Sequence, residues 1–213
     1  MKLFFVFIIT LSADGYGFTT DRLRVMVTKA EIDYTLPPGL LDAIVQQESN
    51  YRIFADNLAS NKGVRVSSYG LGQLTLESAK HHCKLAKRYI HHPRKNIRCA
   101  AKIIDYQLTR YKGNIGRAVA AYNWGTPCEC NGKVFKQKLR KLTMVCKKKL
   151  KGKNVPIRCK KRGTFLNQNY VDSVLQKRKA SIREDQQVLL SSMPEEADGY
   201  IVTMFRELRH AFF

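Results

Sequence analysis

The stretch Leu40-Leu41-Asp42-Ala43-Ile44-Val45-Gln46-Gln47-Glu48-Ser49-Asn50-Tyr51 is the part of the chain on which the rest of the reading depends. At helical period Leu40/Leu41, Ile44/Val45 and Glu48 share one face, because side chains three and four residues apart stack. That face is apolar until its last member, a carboxylate. A charge on a core-facing stripe is costly unless it is paired. Two readings fit. Either Glu48 leans from the helix end into solvent, or it is a general acid whose pKa is raised by an apolar wall, so that it keeps its proton near neutral pH.

Working outward, Leu36-Pro37-Pro38-Gly39 breaks the chain before this helix, and residues from about Thr19 to Thr35 read as a leading helix. After the helix, Arg52 to Tyr69 has no sustained period and is expected to be a loop, or a short hairpin around Asn61-Lys62-Gly63. Thr75 is a suitable N-cap for a helix carrying Leu76, Ala79, Cys83, Ala86 and Ile90, ended by His91-His92-Pro93. Asn96 is read as the cap of a helix with Ile97, Ala100/Ala101, Ile104, Leu108 and Tyr111, stopped at Gly113. A compact helix follows from Ile115 to Trp124 and closes at Gly125.

The composition is that of a globular chain with a lopsided charge: 38 Lys+Arg against 17 Asp+Glu, a net +21. Such a surface seeks polyanions. Met1-Lys2, the apolar run Leu3 to Leu11 and the small residues after it have the layout of a signal peptide over residues 1–17, too short to span a bilayer. The expected location is therefore periplasmic or secreted, with no transmembrane segment after cleavage. Six cysteines, all beyond the signal, suit an oxidising compartment. A Cys83–Cys99 bridge is the best single pairing, with Cys83 as a buried thiol the alternative. Neither the His81-His82 and His91-His92 pairs nor Cys128-Glu129-Cys130 has the spacing of a metal site, so no metal and no cofactor are expected.

Residues 18–125 are read as one core. At Thr126 the composition changes: no acid falls between Glu129 and Asp172, while lysines, arginines and four cysteines crowd the segment. Such a segment buries too little apolar surface to fold without cross-links. We read 126–168 as a cysteine-stapled basic insertion, 169–180 as a closing helix of the core, and 181–213 as a charged tail with one amphipathic stretch at Ile201 to Leu208. The export signal and the few aromatics among the lysines argue against nucleic acid. A monomer is expected.

Five motifs in order carry a resemblance: Gln47-Glu48-Ser49, Tyr69-Gly70-Leu71-Gly72-Gln73-Leu74, Asn96-Ile97, Ala120-Ala121-Tyr122-Asn123 and Asn169-Tyr170-Val171. Together the chain resembles the soluble lytic transglycosylase catalytic domain, of the lysozyme-like superfamily. The resemblance implies a mainly α, lysozyme-like helical domain, here with the stapled basic insertion and a helical C-terminal tail. It implies Glu48 as the single catalytic acid/base, Ser49 supporting the helix end beside it, and Gln73, Tyr122 and Asn123 lining the sugar cleft. Tyr170 would hydrogen-bond near Glu48 and hold its orientation. The chain departs from the pattern at Gly72, where a Met is usual and a subsite is expected to widen, at Trp124, and at Asn57.

The chemistry has its own logic. Glycosidic cleavage needs an acid on the leaving oxygen and usually a second carboxylate opposite. Between Glu48 and Glu77 the only other acid is Asp56. A one-carboxylate mechanism borrows a nucleophile from the substrate, and N-acetylmuramic acid offers two, its N-acetyl oxygen and its C6 hydroxyl. The family resemblance implies the C6 hydroxyl, which would give a 1,6-anhydromuramyl end. The first hypothesis is thus a peptidoglycan lytic transglycosylase acting on glycan strands, for wall turnover or to open a gap for a secretion or conjugation apparatus. The second is a goose-type hydrolase in which Asp56 or a loop residue positions water. The third is a non-catalytic wall-binding or assembly protein.

Overall fold

The computed structural model describes residues 18–61, 64–128, 165 and 167–191. The expected signal peptide 1–17, most of the expected cysteine-stapled basic insertion, and the stretch 201–208 lie outside the described residues. Within them the architecture is helical, with one small antiparallel sheet at the edge.

Thr19 caps α1 (Thr20–Asp33) by accepting the Arg22 N–H. Its inward face is Leu23, Val27, Ala30 and, unusually, Glu31. Gly39 takes a left-handed φ of 67°, a conformation that an L side chain disfavours, and turns the chain into α2 (Leu40–Glu48). This helix is the centre of the molecule: Leu40, Leu41, Ile44 and Val45 are fully buried, and α2 packs against α1, α4 (Pro93–Arg110) and α6 (Gln168–Ser191). Each fully buried Leu, Ile or Val contributes roughly 1.5–3 kcal/mol.

The stretch after α2 is the hairpin rather than the loop: β1 (Asp56–Asn61) pairs with β2 (Val64–Tyr69), in register from Asp56 opposite Tyr69 to Asn61 opposite Val64. The two-residue β3 (Leu74–Thr75) adds to the far side of β2. Between β2 and β3 the Gly70-Leu71-Gly72-Gln73 turn brings the chain back over α4.

Thr75 caps α3 (Leu76–Cys83) through the Ser78 N–H, as expected. The helix stops earlier than its apolar spacing suggested. Lys84 turns left-handed at φ 52°, the Leu85 N–H closes onto the Ala79 carbonyl, and a short 3-10 turn (Lys87–Tyr89) carries Tyr89 and leads on to Ile90. The Cys83–Cys99 disulfide is present, tying the end of α3 to α4 with 5.7 Å between Cα atoms. α4 starts before Asn96, at Pro93 in its first turn, with no side-chain cap. Asn96 is fully buried instead and acts as a tertiary bracket. Its Oδ1 accepts the Gly72 N–H at 2.8 Å, and its Nδ2 donates to the carbonyls of Ile90 and Tyr69 at 2.7 and 3.1 Å.

Asn114 caps α5 (Ile115–Trp124), and Gly125 ends it. The last described helix, α6, continues to Ser191, well past the expected limit at 180. Its first turns close the core through Val171 and Val174. Its later turns lie on the α1–α2 connection: Arg178 Nε donates to the Pro38 carbonyl, and Arg24 pairs with Glu184.

Candidate active site

Two carboxyl groups sit at opposite ends of α2, and their environments drive them apart. At the N-terminus Glu31 reaches across from α1. Its Oε1 accepts the N–H groups of Leu41 and Asp42 at 2.6 and 3.2 Å, and its Oε2 accepts that of Gly39 at 3.0 Å. Burial raises its pKa, and the three N–H bonds oppose that rise. A negative group here matches the positive end of the helix dipole. Glu31 therefore caps a helix that has no side-chain cap of its own.

Glu48 is the last residue of the same helix, where the dipole disfavours a negative charge. Burial raises its pKa from an ordinary 4.5 to about 7, and the hydrogen bond from Tyr170 pulls the other way. Tyr170 Oη, from the first turn of α6, donates to Glu48 Oε1 at 2.6 Å. A second phenol, Tyr122, also feels the Glu48 charge. Both are raised well above the ordinary tyrosine range, chiefly by burial, and stay protonated.

Glu48 borders a cleft of about 900 Å³ that runs along the N-terminal end of α1 and the segment Asn50–Asn57. The carboxyl groups on its lining are Glu48 and Asp56. Asn50, Tyr51 and Gln73 line it too, and all three have a left-handed φ (49°, 62° and 46°) without being glycine. Such conformations cost on the order of 1–3 kcal/mol each and cluster at functional sites. Tyr51 is held from behind, its hydroxyl bonded to Asp42 on α2.

The residues singled out from the sequence divide into four groups. Glu48 and Tyr170 are brought into direct contact. Gln73 lines the cleft, with its amide tied into the wall: Nε2 donates to the Ala55 and Gly70 carbonyls, and Oε1 accepts from Ser68. Ser49 and Tyr122 bond inward. Ser49 is buried with its hydroxyl on the Val45 carbonyl, and Tyr122 Oη donates to the Gly72 carbonyl at 2.8 Å. Asn123 is exposed on α5, where its Oδ1 accepts from Asn167.

Gly72 does not open the subsite expected of it. A Cβ there would lie 2.7 Å from the Ala100 Cβ and 3.0 Å from Tyr122 Oη, so the position faces packed interior.

Two contributors escaped the sequence reading. Glu31 shares the signal that picked out Glu48, an acid on an apolar stripe, and the same test would have found it. His91 lies against the cleft wall, its Nδ1 3.2 Å from the Ile53 carbonyl and its Nε2 3.4 Å from the Asp56 carboxylate, so it braces that wall. Its role depends on a hairpin register that local sequence does not specify.

The family model described as the transglycosylase SLT domain matches residues 25–142. The chain belongs to the SLT transglycosylase domain family. Protein IpgF of Shigella sonnei is 33% identical over 101 residues, which are 46% of this chain and 64% of that protein. The chain thus matches just under two thirds of that curated relative's length. Among solved structures, an inactive mutant of the lytic transglycosylase Slt from Pseudomonas aeruginosa superposes with a TM-score of 0.52 at 18% identity, over 76% of this chain and 24% of that one. The likeness is one of fold: a mainly helical lytic transglycosylase fold. Among the described residues no helix is long and apolar enough to cross a membrane.

Proposed function

We propose that this chain is an exported peptidoglycan lytic transglycosylase that cleaves the MurNAc–GlcNAc bond and leaves 1,6-anhydromuramyl ends, with Glu48 as its single general acid/base. The observation that carries the reading is the half-buried Glu48 carboxyl at the cleft edge, raised to about 7 and fixed by Tyr170. Family membership supports the substrate class.

The bond from Tyr170 makes Oε1 an acceptor, which leaves Oε2 to carry the proton. That proton passes to the glycosidic oxygen as the C1–O bond breaks. The resulting carboxylate then takes the proton of the muramyl C6 hydroxyl as that oxygen closes on C1. The group ends the cycle as it began, and no water is consumed. Acid/base help of this kind is typically worth about 10²–10⁴-fold. Gln73 contributes by fixing the cleft wall, and Tyr122 by holding the turn that presents it. Ser49 holds the helix end, and Asn123 is the reach of α5 toward the glycan.

Asp56 favours one second reading, a hydrolase. It lines the same cleft and is held by His91. Mass spectrometry of muropeptides from digested sacculi separates the two: anhydro ends support the transglycosylase, and reducing ends that have gained water refute it. Wall clearance unchanged by Glu48→Gln would refute both and favour a wall-binding or assembly protein. General wall turnover and the opening of a gap for a secretion or conjugation apparatus are two uses of the same activity, and a deletion strain tested for secretion distinguishes them.

A further inference from the structure

Between Glu77 and Asp105 the sequence places eight lysines and arginines and not one carboxylate. The fold gathers four of them around one depression. α3, the 3-10 turn and the first half of α4, held together by the Cys83–Cys99 bridge, enclose a depression of about 470 Å³. Lys84, Lys95, Arg98 and Lys102 line it, all exposed, and no acid does. Lys95 is preorganised, its Nζ 3.4 Å from the centre of the Tyr89 ring, with the Arg88 guanidinium 4.9 Å from the same ring.

Part of this charge has a local explanation. Lys80 and the histidines beside it sit at the C-terminal end of α3, where cations suit the dipole. Arg94 and Lys95 do not. They occupy the first turn of α4, the positive end of the helix dipole, where a cation is disfavoured. Among the described residues none of the cations on this face forms an ion pair. The fold gathers charge here and leaves it uncompensated.

The depression is also not isolated. Arg98 borders a second groove of about 610 Å³ between α1 and α4, whose walls include Val25, Met26 and Ile97. Arg22 and Arg94 add cations to its edge, while Lys29 there is paired with Asp33 at 3.0 Å. Phe18 lines both that groove and the catalytic cleft. The cleft and the groove share Phe18 and the groove and the depression share Arg98, so the three adjoin in a track that leads away from Glu48.

We propose that this track binds the stem peptides of the peptidoglycan strand whose glycan lies in the cleft. The proposal rests on the peptidoglycan reading above. An apolar wall edged by cations matches a short acidic peptide, which offers small methyl groups to the wall and free carboxylates to the cations. A phosphate polymer has no apolar groups for that wall. A lipid surface is flat, whereas the track is concave.

The test uses the full chain carrying Glu48→Gln, so that binding is measured without digestion. Apparent affinity is read by co-sedimentation with intact sacculi, with glycan strands stripped of peptides by an amidase, and with vesicles of neutral and anionic phospholipid. The expected result is binding to intact sacculi about tenfold tighter than to stripped strands, and a ratio near one after Lys95→Glu with Arg98→Glu, with affinity for stripped strands unchanged. Should charge reversal lower the thermal transition, Lys95→Gln with Arg98→Gln gives the same comparison. A ratio near one in the parent overturns the proposal, as does a ratio that the substitutions leave intact, or an equal loss on both substrates. Loss confined to vesicles overturns it in favour of a membrane surface. Turnover of stripped strands by the chain with Glu48 intact reports separately on the catalytic reading. Absence of anhydro ends there would defeat that reading without touching the binding ratio.

Discussion

Replacing Glu48 with Gln tests the protonation state of the acid without any substrate. In the folded chain the carboxyl holds its proton up to about pH 7, against an ordinary 4.5. Between those values the folded state binds a proton that the unfolded state has released, so the stability of the native protein falls as pH rises. The contribution is fully present below about pH 4.5 and is lost by the time pH has passed through 7. A tenfold change in proton affinity is worth about 1.4 kcal/mol, so the whole loss is roughly 3 kcal/mol. Water in the open cleft reduces it to about 1–3 kcal/mol. A glutamine is neutral throughout and can still accept the Tyr170 hydroxyl, so it escapes this loss. Urea unfolding of both proteins at pH 4.5, 6 and 8 should therefore show equal stability at the lowest pH. The Glu48→Gln protein should gain an advantage of about 1–3 kcal/mol by pH 8. A difference that is flat across that range would mean that the carboxyl is ionised throughout, and the general-acid argument would fail with it.

Tyr170→Phe removes the bond that favours the ionised form of Glu48, so its pKa should rise further. The high-pH limb of the rate profile should move upward by up to about one pH unit while turnover falls, as read from muropeptide release against pH. Asn96→Ala leaves the Gly72 N–H and the Ile90 and Tyr69 carbonyls without a partner, at about 1–3 kcal/mol for each group that stays dry. A fall of about 3 kcal/mol or more in urea unfolding is expected. Cys83→Ser with Cys99→Ser opens a bridge spanning 16 residues and should cost about 3 kcal/mol. Thermal denaturation with and without reductant checks this, since reductant should have a smaller effect on the variant.

The features legible in the sequence were those set by local pattern. The apolar stripe of Leu40 to Val45 gives α2 because its spacing matches the helical repeat, and Thr75 caps α3 because a hydroxyl there satisfies a free N–H. Where the reading went astray, a long-range partner had outbid the local signal. Asn96 has the side chain of a helix cap, yet three backbone groups from two other segments claim it, and α4 begins a turn earlier. The apolar spacing from Leu76 to Ile90 reads as one helix, but the Lys84 turn and the disulfide divide it.

The same distinction explains the site. The position of Glu48 on its helix is a matter of period, but its proton affinity depends on Tyr170, 122 residues further along, and on the packing that buries both. Gly72 shows how far this goes. From the sequence its missing side chain suggests space for sugar, because a motif aligns residues without saying which way the Cβ points. In the fold that direction meets Ala100 and Tyr122, so Gly72→Ala should act on packing rather than on the cleft. Overpacking of this kind costs about 1–3 kcal/mol, because Ala100 and Tyr122 have to give way. The tyrosine hydroxyl would be pushed off the Gly72 carbonyl, and the turn carrying Gln73 would loosen with it. Lower stability in urea with a matching fall in turnover would bear this out. Unchanged stability with an altered KM for glycan strands would restore the view that Gly72 belongs to a subsite.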